Sequence, residues 1–105
     1  MGKFEELNAA AFEEIVEDGG DRCLVLFSRE SCTVCQSVHA KLETLEGEYP
    51  DVPFYGVDVE KQPRLMAKFH LKGVPQTLFF AGGELRSRIT GDASEDDFAE
   101  RIESL

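Results

Sequence analysis

The feature that most constrains this chain is a junction. The continuous apolar run Cys23-Leu24-Val25-Leu26-Phe27 gives way, across residues 28–31, to a segment with helical spacing, and Cys32 and Cys35 sit at the changeover. A run with no polar face suits a strand covered on both sides, as in a parallel sheet with a helix on each face. From Cys35 onward Val38, Leu42 and Leu45 recur along one helical face until Gly47, and Tyr49-Pro50-Asp51 closes the helix. A strand feeding a helix in this way is the first half of a right-handed crossover, so the helix begins at the carboxyl edge of a central strand. Ligands and chemistry collect at that edge of open α/β sheets, and Cys32 falls on it.

The remaining segments fit around this unit. Residues 3–7, KFEEL, read as an edge strand, and Asn8 reads as the N-cap of a helix from Ala9 to Val16 with Phe12, Ile15 and Val16 on one face. Asp18-Gly19-Gly20 stops that helix, and residues 52–59 form a second buried-type strand. Pro63 occupies a first helical turn ahead of Leu65, Met66 and Phe69, and residues 76–90 hold two strands around Gly82-Gly83. Ser94 caps a last helix, which makes the order β-α-β-α-β-α-β-β-α. No repeat or linker interrupts it, so residues 1–105 are expected to be a single domain able to bury a core without disulfide staples.

Charge narrows the choice of partners. Eleven Lys and Arg against 21 Asp and Glu give a formal net charge of -10, which opposes phosphate backbones and anionic lipid, so no nucleic acid and no membrane partner is expected. The excess acid reads as a solubility device. The opening MGKFEELNAA has no apolar stretch of signal-peptide length, and Glu6 stands where a myristoylation motif wants Ser or Thr, so a cytoplasmic monomer is expected. In a reducing compartment a close cysteine pair is more often catalytic or metal-binding than structural.

Three readings of the pair are open at this point: a redox couple, half of a metal site, or coincidence. A sulfur at the helix start meets unsatisfied N–H groups and the positive end of the helix dipole, each unit of lowered pKa being worth about 1.4 kcal/mol of preference for thiolate. That makes Cys32 the attacking sulfur. Cys35, one turn further in, is the shielded resolving thiol, and the two-residue gap lets the sulfurs bond with little backbone movement. A metal would need further ligands; the nearest is His39, and a zinc ribbon wants a second cysteine pair that the sequence lacks, so no metal is expected. His39 reads as a partly exposed helical histidine, and Cys23 as a small buried residue.

The strand CLVLF, the Cys-x-x-Cys helix start and the later segment KGVPQTLFFAGGE together resemble the thioredoxin family, colinearly from Phe4 to Leu105. The resemblance implies a thioredoxin fold, a central mixed sheet of about five strands flanked by four helices. It also implies a cis Val74-Pro75 bond against the cysteines, with the Val74 backbone pairing with an extended substrate segment like an added strand. Gly73 and Gly91 match family glycines near the active edge. With Val74 and Pro75, and with Ser31, Thr33 and Val34 from the cysteine motif, they are the expected substrate-facing positions.

Departures from the family are equally specific. Ser31 replaces a Trp, Thr33-Val34 replace Gly-Pro, and the chain contains no Trp. Leu26 stands where a buried Asp is usual, and Gly56 where the Lys that pairs with it falls. That Asp is thought to take the proton from the resolving thiol, so its loss leaves water, His39 or Glu30 as substitutes. Ala40 stands at the position of a helix-kinking Pro, which predicts a straighter helix.

The function expected from the resemblance is thiol–disulfide exchange. Reduced Cys32 attacks a disulfide of a partner protein or small thiol compound, Cys35 displaces it, and an external reductase or thiol pool resupplies electrons, supporting cell redox homeostasis. No flavin or nicotinamide fingerprint is present and no cofactor is expected beyond the redox-active pair itself. The rival readings are a non-catalytic binding module on the same fold, and a redox sensor.

Overall fold

The apolar run becomes the middle of the sheet. In the computed structural model, which describes residues 4–105, β2 (Cys23–Ser28) pairs in parallel with β3 (Phe54–Asp58) on one side and antiparallel with β4 (Gln76–Ala81) on the other. A short β1 (Glu5–Glu6) extends the sheet in parallel beyond β3, and β5 (Glu84–Thr90) extends it antiparallel beyond β4. The order is therefore β1-β3-β2-β4-β5, a five-stranded mixed sheet with four α-helices, as the resemblance implies.

Alternation along β2 explains why all of it is apolar. Leu24 and Leu26 face a layer that contains Val38 and Leu42 of α2 (Thr33–Glu46) with Phe98 and Ile102 of α4 (Glu95–Glu103). Val25 and Phe27 face the opposite layer, with Phe12 of α1 (Ala9–Phe12) and Leu65 of α3 (Pro63–Lys68). Phe12 is enclosed by the rings of Phe27, Phe69 and Phe80, at centroid separations of 5.5 to 6.3 Å. Such tilted and edge-on contacts add roughly 0.5–1.5 kcal/mol per pair beyond area burial.

Local signals set most of the boundaries. Asn8 Oδ1 accepts from Ala11 N–H at 2.8 Å and starts α1, which then continues as a π-helical segment, Glu13–Asp18, that keeps Val16 buried. Ser94 Oγ accepts from Asp97 N–H at 3.1 Å and starts α4. Two expectations shift at their ends. The strand expected over residues 52–59 is confined to Phe54–Asp58, because Val52 N–H turns back to the Tyr49 carbonyl, though Val52 and Val59 are still buried. The first strand, expected over residues 3–7, is confined to Glu5–Glu6, with Phe4 and Leu7 buried at its ends and Lys3 outside the described residues. α2 runs without interruption through Ala40, whose carbonyl accepts the Thr44 hydroxyl at 3.2 Å.

The β4–β5 hairpin turns on Gly82 and Gly83, with φ of 64° and 78°, the sign that a two-residue turn needs to match strand twist. Gly83 carries a second constraint, since a Cβ there would overlap the Glu17 carbonyl oxygen, whereas Gly82 meets nothing closer than the Arg86 guanidinium at 3.5 Å. Gly82→Ala should therefore lose about 1 kcal/mol of stability from backbone conformation. Gly83→Ala should lose a further ~1–3 kcal/mol from overpacking. Urea denaturation of the two variants checks the ranking, and equal losses would show that the contact with Glu17 relaxes freely.

Candidate active site

Cys32 is the N-cap of α2, with an extended backbone (φ −95°, ψ 109°) and its Sγ accepting from Cys35 N–H at 3.1 Å. That contact is a side-chain cap made by sulfur, and it supplies one of the otherwise unpaired N–H groups of the first turn with a partner. The two cysteines are joined as a disulfide, their Cα atoms 5.2 Å apart. They differ in access: Cys32 is 8% exposed and Cys35 1%. Only the first can be reached from outside without opening the helix.

The chain before β4 forms the other wall. Cys32 Sγ lies 4.0 Å from the Val74 carbonyl oxygen, and the Val74–Pro75 peptide bond is cis. Pro75 in turn accepts from Gly91 N–H at 2.9 Å. Gly91 has φ of 79°, a conformation that a side chain would strain, so the residue type suits this bend. Gly73 has ordinary backbone angles and open space where a Cβ would stand. Val34 is 46% exposed beside the pair, a large apolar side chain turned to solvent, and Ser31 and Thr33 are exposed with it.

A polar clamp fastens this wall to α2. Lys41 Nζ donates to Asp92 Oδ1 and to the Ala93 carbonyl, both at 2.8 Å, and Ser37 Oγ donates to Asp92 Oδ2 at 3.3 Å. The Lys41 hydrogen bond holds the Asp92 carboxyl below the usual carboxylate range. Sequence reasoning missed these residues. Ser37, Lys41 and Asp92 carry no motif, and the strands and turns between them separate the partners by more than fifty positions, 55 and 51 respectively.

Beneath α2 the departures at Leu26 and Gly56 fall in one row. β-pairing aligns Glu6, Gly56, Leu26, Thr77 and Ile89 across the sheet. Leu26 is fully enclosed, and the buried Thr77 hydroxyl beside it has no hydrogen-bond partner among the described residues. On the Gly56 side lies a cleft of about 230 Å³ whose lining includes Phe4, Leu26, Ser28, His39 and Asp58. Here one expectation is corrected. His39 is not a partly exposed surface histidine; it is buried, stacked at 4.5 Å on Phe4, with Nδ1 3.1 Å from Glu43 Oε1.

The Thioredoxin family model matches residues 3–104. The chain belongs to the thioredoxin family. It is 30% identical over 94 residues to the thioredoxin of Geodia cydonium, covering 89% of each protein. The structure superposes on Fasciola hepatica thioredoxin with a TM-score of 0.86 at 29% identity, over 96% of this chain and 98% of that one. Mitochondrial thioredoxin 3 of Saccharomyces cerevisiae in its oxidized form gives 0.87 at 24% identity, over 97% and 95%, a likeness of fold alone. Thioredoxin-family membership together with a closed Cys-x-x-Cys pair makes this protein a thiol–disulfide oxidoreductase. Family members act on disulfide substrates and draw on reductase partners, and they need no cofactor. Among the described residues no helix is long and apolar enough to cross a membrane.

The third cysteine of this thioredoxin-family protein stands apart chemically. Cys23 is buried at the start of β2, and burial, with help from the charge of Asp21, pushes its thiol up from 9.0 to about 12. A folded pKa above the unfolded value means that its contribution to stability is complete below pH 9 and is lost as pH rises from there toward 12. The drop in urea midpoint between pH 8 and pH 10 should therefore be larger for the native sequence than for Cys23→Ala. Parallel pH curves for the two proteins would contradict this.

Proposed function

We propose that residues 1–105 act as one thioredoxin domain that reduces disulfides of partner proteins, with Cys32 as the attacking sulfur and Cys35 as the resolving one. The observation that carries the assignment is the difference in access at the helix start: 8% exposure for Cys32 at the N-cap against 1% for Cys35 inside the first turn. A thiolate at Cys32 keeps the Cys35 N–H as a charge-assisted donor, an interaction stronger than the thiol can make. Attack on a partner disulfide gives a mixed disulfide, and Cys35 then displaces the partner as its thiolate.

The substrate rim in this reading runs along Val74 and Pro75, with Gly73 and Gly91 flanking it. An extended partner segment adds to the Val74 backbone while Val34, Thr33 and Ser31 meet its side chains from the helix start. Exposure of Val34 supports an apolar contact there, the role for which the chain has no Trp to offer. Electrons come from a separate reductase or thiol pool, and the reaction is placed in the cytoplasm, where such pools keep thiols reduced. The protein works as a monomer, and its net charge of -10 disfavours anionic surfaces.

Insulin reduction with dithiothreitol tests the reading. The native sequence should turn over, Cys32→Ser should abolish turnover, and Cys35→Ser should accumulate mixed disulfides detectable by mass. Partner binding without turnover in the native protein would instead indicate a binding module. A second expectation concerns the sheet floor: Leu26→Asp, which restores a carboxyl beneath α2, should accelerate disulfide reduction despite the penalty of burying a carboxylate. An unchanged or slower rate in a folded variant would count against proton removal from Cys35 as a slow step.

A further inference from the structure

We propose that His39, oriented by Glu43, accepts the proton of Cys35 as the mixed disulfide is resolved. The inference rests on the roles of Cys32 and Cys35 proposed above and asks what their chemistry still lacks. Cys35 is 1% exposed and must lose a proton before it can attack, and the strand side of α2 offers apolar Leu26. His39 follows Cys35 by one helical turn on the same face. Helical side chains tilt toward the N-terminus, so the imidazole leans back over the turn that carries Cys35.

The ring is held in one pose by two contacts. Phe4 packs against it at a centroid distance of 4.5 Å with 38° between planes, and Nδ1 lies 3.1 Å from Glu43 Oε1. A carboxylate only accepts, so Nδ1 carries the hydrogen and the lone pair of the neutral ring is on Nε2. Nε2 makes no hydrogen bond to any described residue. A base whose partner fixes its tautomer, with its other nitrogen free, is the arrangement general-base chemistry needs.

The cleft supplies the way out. Its volume of about 230 Å³ arises where Gly56 offers no side chain and Ser28 a short one, and Glu6, Glu30 and Asp58 line it together with His39 and Arg29. A space of that size with polar walls holds water. The Cys35 Sγ–H proton passes to Nε2 directly or through one water, and the resulting thiolate attacks Cys32 Sγ. The bond from Cys32 to the partner sulfur breaks, the Cys32–Cys35 bond forms, and the partner leaves as a thiolate that takes its proton from solvent. Two electrons go to the partner. His39 releases its proton into the cleft.

A single-turnover experiment separates the steps. Reduced protein is mixed with an aromatic disulfide whose released thiolate is coloured, so that a concentration-dependent phase reports Cys32 attack and a concentration-independent phase reports Cys35 attack. In His39→Ala the first phase should be unchanged and the second at least about ten-fold slower. Added imidazole should restore the second phase, and pyrazole, of the same shape but a far weaker base, should not. An unaffected second phase in His39→Ala, or equal rescue by both azoles, overturns the role of His39. Absence of a second phase in the native protein overturns the dithiol reading itself, and the inference with it.

Discussion

Because β2 has no polar face, helices must cover it on both sides, and the chain meets that demand by leaving the strand at its carboxyl end and returning through α2. Each fully buried Leu, Val or Phe in such a layer contributes roughly 1.5–3 kcal/mol relative to leaving it in water. Leu24 and Leu26 draw α2 and α4 onto one face, and Val25 and Phe27 draw α1 and α3 onto the other. The position of Cys32 is a by-product of that burial. Once Val38 and Leu42 are committed to the layer under α2, the helix start has nowhere to lie but above the end of β2.

The same geometry underlies the roles proposed for the two sulfurs. Cys32 caps the helix, so its Sγ meets the Cys35 N–H, and it also faces the Val74 carbonyl across the edge of the sheet. Cys35 lies within the first turn and is closed off from solvent. One sulfur is therefore partly accessible at a helix start and the other is enclosed, which supports the proposed roles of attacking and resolving thiol. The Gly91–Pro75 hydrogen bond and the Lys41–Asp92 clamp tie the Val74 edge to α2, so the two walls of the site are fixed relative to each other.

Beneath this surface two of the departures from the family pattern meet. Leu26 and Gly56 lie side by side in one cross-sheet row, and what a buried ion pair usually fills there is divided into an apolar block and an open cleft. An isolated carboxylate in such a layer costs several kcal/mol unless paired, and a carboxylate at position 26 would meet Gly56 rather than a cation across the row. Polarity reappears nearby on other elements, as the Thr77 hydroxyl on β4 and the His39–Glu43 pair on α2.

Element types and the two cysteines could be read from the chain because their causes are local. Asn8 and Ser94 cap the helices they precede, Gly82-Gly83 makes its turn, and the apolar spacing of Val38, Leu42 and Leu45 matches the buried side of α2. The burial of His39 was misread because helical spacing places it next to the apolar stripe without saying what packs there. Phe4, which covers it, immediately precedes β1 on the far side of β3. The clamp from Lys41 to Asp92 was invisible for the same reason. Sequence by itself determined where strands and helices form and which sulfur stands at a helix start, since capping, periodicity and turn chemistry act over a few residues. Tertiary structure alone decided which wall faces the sulfurs, that Leu26 and Gly56 share a row, and that His39 turns inward, since these depend on strand order and on contacts between residues far apart in the chain.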